Sequence, residues 1–225
     1  MMLDTQYRMH PLISSFPSSE FYNFCLLDGT VNTSGQVSPK LLPPVSSHLK
    51  LDPETGPRSV IFIDHEGPEA MRLKSRVNWT EAKIVCGIVE DLLLQNAVCS
   101  SLSHGRFRRP HISIYQDLSG KDIGVIAPYK SQISLLTRLL SQDVQMRHHL
   151  TSVLGKERFQ EIENIEIKTV DGFEGREKDA IIFSTVRNNQ EGTIGFLADR
   201  RRLNVGLTRA KRALFVIGKD RKSVV

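Results

Sequence analysis

Five short runs of apolar, largely β-branched residues constrain this chain more than any other feature: Val60–Ile63, Ile123–Ala127, Ile165–Val170, Ala180–Val186 and Leu214–Ile217. Each is strand-length and nearly unbroken in its hydrophobicity. A strand with one wet face alternates, so an unbroken run predicts burial on both faces, as in a parallel sheet. Helical periods lie between several of the runs. Over Glu81–Leu94, residues Val85, Val89, Leu92 and Leu93 share one face, with Asn78 or Thr80 placed to cap the first turn. Ser131–Leu140 repeats the pattern with Ile133, Leu136 and Leu140. Strands alternating with helices predict an α/β sheet built from right-handed crossovers, and 225 residues suit one such domain.

The irregular stretches are equally legible. Five of the ten prolines fall between Pro39 and Pro57 in a Ser-rich segment without periodicity, which reads as a loop or insertion. His104–His111 carries three arginines (Arg106, Arg108, Arg109) and reads as a surface loop that could meet a nucleic-acid backbone or simply water. Residues 142–164 are polar enough for a short helical insertion. No apolar run approaches the roughly 18–20 residues of a membrane span, and the N-terminus lacks the order of a secretory signal. Three cysteines, Cys25, Cys86 and Cys99, are odd in number and form no CxxC. They exclude a disulfide framework and a cysteine zinc site, and suit a reducing compartment.

The net charge of +5 is unevenly placed. Asp199–Lys222 holds nine Lys/Arg and two Asp, a balance of +7, which leaves the rest of the chain at −2. An acidic partner is one reading of that excess.

Three segments carry candidate chemistry. In the first, Leu3–Pro11, Tyr7 and Arg8 are adjacent and can present an aromatic face and a guanidinium from one turn. Stacking of a base on such a ring is worth on the order of 1–3 kcal/mol, and a guanidinium forks onto phosphate oxygens. Taken alone, the pair also reads as a solvated Arg beside a half-buried Tyr. In the second, Ile167–Asp179, a strand runs into a turn with Gly172 and Gly175 and then a charge cluster. Peptide N–H groups and the Thr169 hydroxyl could meet phosphates there, though GxxxxGK[ST] occurs nowhere in the chain. In the third, Gly195–Lys211, a helix over Arg202–Arg212 would stripe Leu203, Leu207 and Ala210 along one face and set Arg202 and Arg209 two turns apart beside it. A plain basic surface helix is the other reading.

In this order, QYRMHP, TVDGFEGREKD and RRLNVGLTRAK resemble the motifs of the C-terminal RecA-like domain of superfamily 1 helicases of the nonsense-mediated-decay and senataxin group. FPSSEFY (Phe16–Tyr22) looks nearest the senataxin branch, and NWTEA (Asn78–Ala82) and IAPYKSQ (Ile126–Gln132) extend the resemblance over most of the chain. The resemblance implies a RecA-like, mostly parallel sheet flanked by helices. It implies a second RecA-like domain over 1–225, with insertions near 27–58, 98–121 and 142–164 and with the first domain absent. It assigns Arg8 and Arg209 to the γ-phosphate of ATP as catalytic arginines. Tyr7 goes to the adenine, Gln6 to the nucleotide without a named contact, Glu177 to the sugar and Gly175 to the lining of the turn. Tyr129, Gln132 and Thr169 become contacts to single-stranded RNA or an RNA/DNA hybrid, and Arg187 a supporting residue. It further implies 5′-to-3′ translocation with ATP and Mg²⁺, a nuclear or otherwise cytoplasmic location, and no membrane.

With no Walker lysine, acidic box or evident base, these residues make half of an ATPase site, its other half on the first RecA-like domain in cis. Two expectations follow: the chain alone does not hydrolyse ATP, and a binding module that hydrolyses nothing is the alternative. Glu174 stands where the family usually has Gln, and Gly206 where it usually has Ala. Gly206 should cost the helix about 1 kcal/mol relative to Ala. His148 and His149 lack helical metal-site spacing and read as a solvated pair. Cys86 reads as core, and Lys219–Lys222 as a frayed basic tail.

Overall fold

All five apolar runs become strands of one parallel sheet. The computed structural model describes residues 4–49, 51–52, 56–101 and 118–220. In chain order, β1 (Thr5–Gln6), α1 (Pro11–Tyr22) and β2 (Leu27–Asp28) precede the short pair β3 (Leu51–Asp52) and β4 (Gly56–Pro57). Then come β5 (Val60–Asp64), the hairpin β6 (Ala70–Arg72) and β7 (Ser75–Val77), and the long α2 (Trp79–Ser101). The second half holds β8 (Ile123–Ile126), α3 (Lys130–Ser141), α4 (Val144–Gln160), β9 (Glu166–Lys168), β10 (Lys178–Ser184), α5 (Arg200–Leu207) and β11 (Ala210–Gly218). The sheet order is β5-β11-β10-β8-β9, every pair parallel. This is the helix-flanked α/β architecture that the strand and helix pattern predicts, and it is consistent with the RecA-like fold that the resemblance implies.

The unbroken hydrophobicity of the strands has a direct cause. Along β10, Ala180 and Ile182 face one core while Ile181 and Phe183 face another, and all four are fully buried. The first core takes the predicted stripe of α2 (Val85, Val89, Leu92, Leu93) together with α3 and Leu150 of α4. The second takes Met9 and Ile13 from the N-terminal segment and Leu207 from α5. Each large apolar side chain so enclosed contributes about 1.5–3 kcal/mol relative to exposure. Asn78 caps α2, its Oδ1 accepting from the Glu81 amide at 3.1 Å. Residues 144–160 form α4, capped by Asp143, whose Oδ1 accepts from the Met146 amide, and interrupted at Gly155.

Two expectations are corrected. The helix expected over Arg202–Arg212 spans Arg200–Leu207 instead, and Ala210 already belongs to β11. Pairing with Lys178 of β10 outweighs the helical spacing of Ala210. Lys219 is no frayed tail: it pairs with Glu66 and lies near Asp64, while the Asp220 amide donates to Asp64 Oδ1 at 2.7 Å. Arg106, Arg108, Arg109, Arg221 and Lys222 lie outside the described residues. No helix among the described residues is long and apolar enough to cross a membrane.

Candidate functional site

At the N-terminal ends of β10 and β11, the first and third sequence segments meet. The parallel pairing of β1 with β2 places Gln6 beside Asp28. The Gln6 amide uses every one of its hydrogen-bonding groups locally. Its Nε2 donates to Met9 O (2.9 Å) and Asp28 Oδ1 (2.6 Å), and its Oε1 accepts from the Arg8 and Met9 amides. That brace sets a turn with Met9 pointing into the core and Tyr7 out, 77% exposed.

Arg8 reaches across the sheet edge. Its Nη1 donates to Thr208 O at 3.0 Å, and its Nε pairs with Glu177 Oε2 at 2.5 Å. Glu177 is also held by Lys211 Nζ at 2.9 Å. The Lys211 hydrogen bond, then that of Arg8, outweighs burial and holds its carboxyl below the usual glutamate value. Arg209 follows Thr208 directly. Its Nε donates to Val205 O at 2.9 Å, closing the end of α5, and its Nη2 donates to Thr208 Oγ1 at 3.1 Å. Burial, then the charge of Arg8, pulls the Arg209 pKa down from the ordinary arginine value. Gly175 (φ 74°) turns the chain just before Glu177 through a conformation open mainly to glycine. A cleft of about 410 Å³ lies here, lined by Tyr7, Arg8, Thr30, Lys40, Glu177 and Lys211 among others. Three cations against one carboxylate, beside an exposed aromatic face, make a surface suited to an anion that carries a flat ring.

At the opposite, C-terminal ends of the strands, the Tyr129 hydroxyl accepts from Arg187 Nη1 (3.1 Å) and from the Phe196 amide (3.4 Å). Arg187 pairs with Glu69 at 2.8 Å. Thr169 is half-buried, its Oγ1 accepting from the Gly172 amide at 3.2 Å. Gln132 is not on this surface. It is fully buried, its Nε2 donating to Asn78 O and Ser184 Oγ and its Oε1 accepting from the Asn78 amide. A strand track could not reach it without unpacking α3, so the expected direct contact is corrected to an internal bridge between α2, α3 and β10. Beside this face lies a larger cleft of about 940 Å³, walled by Glu69, Arg76, Arg187 and Asn188 among others.

A buried polar knot beneath the same face escapes sequence reasoning. Glu81, fully buried in α2, accepts from Ser184 Oγ (2.6 Å) and the Val186 amide (2.8 Å) and pairs with His65 Nε2 (3.1 Å). The Gly67 amide donates to His65 Nδ1, which leaves the Nε2 hydrogen to face Glu81. Val186, a β-branched residue, sits at φ 69°, a strained conformation that the knot holds in place just before Arg187. The signal is in the sequence: Glu81 lies four residues before Val85, on the stripe that faces the core.

The basic C-terminal segment is largely neutralised from elsewhere. Arg202 sits 4.1 Å over the Phe196 ring and 3.3 Å from Asp171. Arg212, nearly buried, pairs with Asp179 at 3.1 Å and donates to Leu42 O. His149 pairs with Glu90 at 2.8 Å. Among the described residues no group of three or more His, Cys, Asp or Glu is placed to hold a metal.

An AAA domain family matches residues 1–221. The probable helicase MAGATAMA 3 of Arabidopsis thaliana is 34% identical over 228 residues, covering 96% of this chain and 22% of that protein. The regulator of nonsense transcripts 1 homolog of Drosophila melanogaster is 36% identical over 220 residues, covering 96% of the chain and 15% of its own length. Helicase SEN1 of Saccharomyces cerevisiae is 32% identical over 222 residues, covering 98% and 8%. The chain therefore spans less than a quarter of the length of each of these three relatives.

Proposed function

The chain belongs to this AAA domain family of superfamily 1 helicases, and on that premise we propose that it is the second, C-terminal RecA-like domain of an ATP-dependent helicase motor. Tyr7 stacks on the adenine, Glu177 lies at the sugar, and Gly175 lines the turn between them. Arg8 and Arg209 reach the γ-phosphate. Gln6, its amide committed to the turn, presents Tyr7 and Arg8 rather than meeting the base. Mg²⁺ and the attacking water are held mainly by the first RecA-like domain, in cis. Bound ATP supplies the phosphoryl group that is cleaved. This chain's part is to neutralise charge on it with two guanidiniums that do not exchange protons. Single-stranded RNA or an RNA/DNA hybrid runs 5′ to 3′ over the Tyr129 and Thr169 face, in the nucleus or otherwise the cytoplasm.

One observation carries this reading. Arg8 is lodged on the carbonyl of Thr208, the residue before Arg209, so two arginines from opposite ends of the chain arrive at one place. Glu177 offsets part of the cost of bringing the two guanidiniums together, and an incoming phosphate would offset more of it. Contacts of this kind form when the domain closes on a nucleotide held by its neighbour and vanish when the terminal phosphate leaves.

Hydrolysis by the 225-residue chain and by a longer polypeptide carrying the preceding domain, each with and without single-stranded RNA, tests it. The longer protein should hydrolyse ATP with RNA stimulation and the chain alone should not. Metal-dependent turnover by the chain alone would overturn the half-site. A longer protein that binds RNA yet never hydrolyses ATP would favour the binding module.

A further inference from the structure

Ser38 and Lys40, on either side of Pro39, both line the cleft of about 410 Å³ that holds Tyr7, Arg8, Glu177 and Lys211. Ser38 is the one serine or threonine of the 225 residues that is followed by proline. A residue before proline is driven to extended backbone, and Ser38 has ψ 131°. Its hydroxyl makes no capping hydrogen bond to the short helical turn that follows. Just upstream, Asn32–Gln36 are all exposed, closed by the Val31–Val37 bridge and by Asn32 Oδ1, which accepts from the Ser34 and Gln36 amides. Pro39 and Lys40 are exposed as well.

The segment is anchored before and after this turn. Thr30 Oγ1 donates to Met9 O at 3.0 Å, the Ser38 amide donates to Thr30 O at 3.2 Å, and Arg212 Nε donates to Leu42 O at 2.8 Å. Ser38 is thereby kept in a cleft with three cations. Arg8 and Lys211 share Glu177, while Lys40 has no ion pair among the described residues. One carboxylate against three cations leaves two positive charges unanswered. The phosphates of a nucleotide can answer them. So can a phosphoryl group on Ser38, which carries about −1.5 to −2 at pH 7.

We propose that Ser38 is a modification site, phosphorylated by a proline-directed protein kinase, and that the phosphoserine holds the cations of this cleft against nucleotide. Ser-Pro followed by a basic residue is a form that such kinases accept, and the extended, exposed segment presents it. In the transfer, the bond from Ser38 Oγ to the γ-phosphorus of the kinase's ATP forms as the bond from that phosphorus to the β–γ bridging oxygen breaks. The hydroxyl proton passes to the kinase's base, and ADP leaves. The phosphoserine then gains charge-assisted hydrogen bonds to Lys40 and Lys211. This rests on the reading of the cleft as half of an ATP site, and adds a control to it.

Treatment with a purified mitogen-activated protein kinase tests it on three substrates: the chain, a synthetic peptide of residues 31–42, and the longer polypeptide that carries the preceding domain. Mass spectrometry should find phosphate on Ser38 of the chain and none there in Pro39→Ala. Modification of the peptide but not of the chain overturns the site. In a ³¹P NMR titration the phosphoserine of the chain should ionise below that of the peptide, at about 6, and Lys40→Ala should narrow the gap. Coincident titrations of chain and peptide overturn the pairing with the cleft. Phosphorylation should raise the longer polypeptide's KM for ATP about tenfold, and the same treatment should not move the KM of Ser38→Ala. An unchanged KM in the phosphorylated protein overturns the competition. A longer polypeptide that never hydrolyses ATP removes the half-site reading, while a shifted titration in the chain keeps the modification site.

Discussion

Arg8 and Glu177, 169 residues apart in the chain, form an ion pair at 2.5 Å, and Lys211 holds the other Glu177 oxygen at 2.9 Å. The carboxylate keeps two cations from repelling each other at the rim of a cleft, and it occupies donors that an incoming anion would claim.

That arrangement has a pH signature. Lys211, then Arg8, holds the Glu177 carboxyl below its ordinary value of 4.5, while Lys168 and Lys178 overcome burial to hold Glu166 down as well. A depressed carboxyl adds stability above its unfolded value, and this is lost as pH falls through the lower folded value. Thermal melts from neutrality to about pH 3 should show the midpoint falling below about pH 4.5, less steeply in Glu177→Gln. Coincident curves would remove Glu177 from the account. The effect at Glu177 is modest, because the Arg8 and Glu177 side chains are 33% and 42% exposed.

Two separable effects are expected of a change at Arg209. In a longer ATP-hydrolysing protein, Arg209→Ala should lower turnover by about 10³-fold or more. In the chain itself it should cost only about 1 kcal/mol in urea unfolding, from the lost bond to Val205 O. Wild-type turnover in that variant would end the phosphate assignment.

Glu81 should matter more to folding than any exposed charge. Glu81→Ala leaves the Val186 amide and Ser184 hydroxyl buried without their acceptor and should destabilise by about 3–5 kcal/mol. Glu81→Gln, which keeps one acceptor oxygen, should cost less. Chemical denaturation of both variants checks the order, and a loss below about 1 kcal/mol for Ala contradicts it.

Gly206→Ala reverses what helix propensity suggests. A methyl there would lie 2.5 Å from the Phe183 ring, itself fully buried. Overpacking of about 1–3 kcal/mol outweighs a propensity gain of about 1 kcal/mol. The variant should unfold at lower urea, and a stabilised variant would mean that Phe183 moves aside freely.

The sheet was legible because burial on both faces writes unbroken apolar runs, and Val60–Ile63 through Leu214–Ile217 had no competing period. Where two patterns overlapped, local reading failed: Leu203, Leu207 and Ala210 keep helical spacing past Thr208, but pairing with Lys178 makes Ala210 a strand residue. Gln132 was misplaced for a different reason. Nothing beside it in sequence reveals that its partners Asn78 and Ser184, 54 and 52 residues away, enclose it. The charge of the Asp199–Lys222 segment misled likewise, since the acids that answer it, Glu177, Asp179, Asp171 and Glu66, come from other segments. Motif order named Arg8 and Arg209 together, while the Thr208 carbonyl that links Arg8 to the residue before Arg209 needed coordinates.

Arg209 is followed at once by β11, and its carbonyl already accepts from the Lys178 amide at 3.0 Å. Tension applied at the guanidinium therefore enters the sheet along the axis of a strand bonded on one side to β5 and on the other to β10. Those bonds are loaded side by side, in shear, rather than opened one after another. A tug at the rim displaces the whole sheet and its helices together, as a lever does, before any part of it yields.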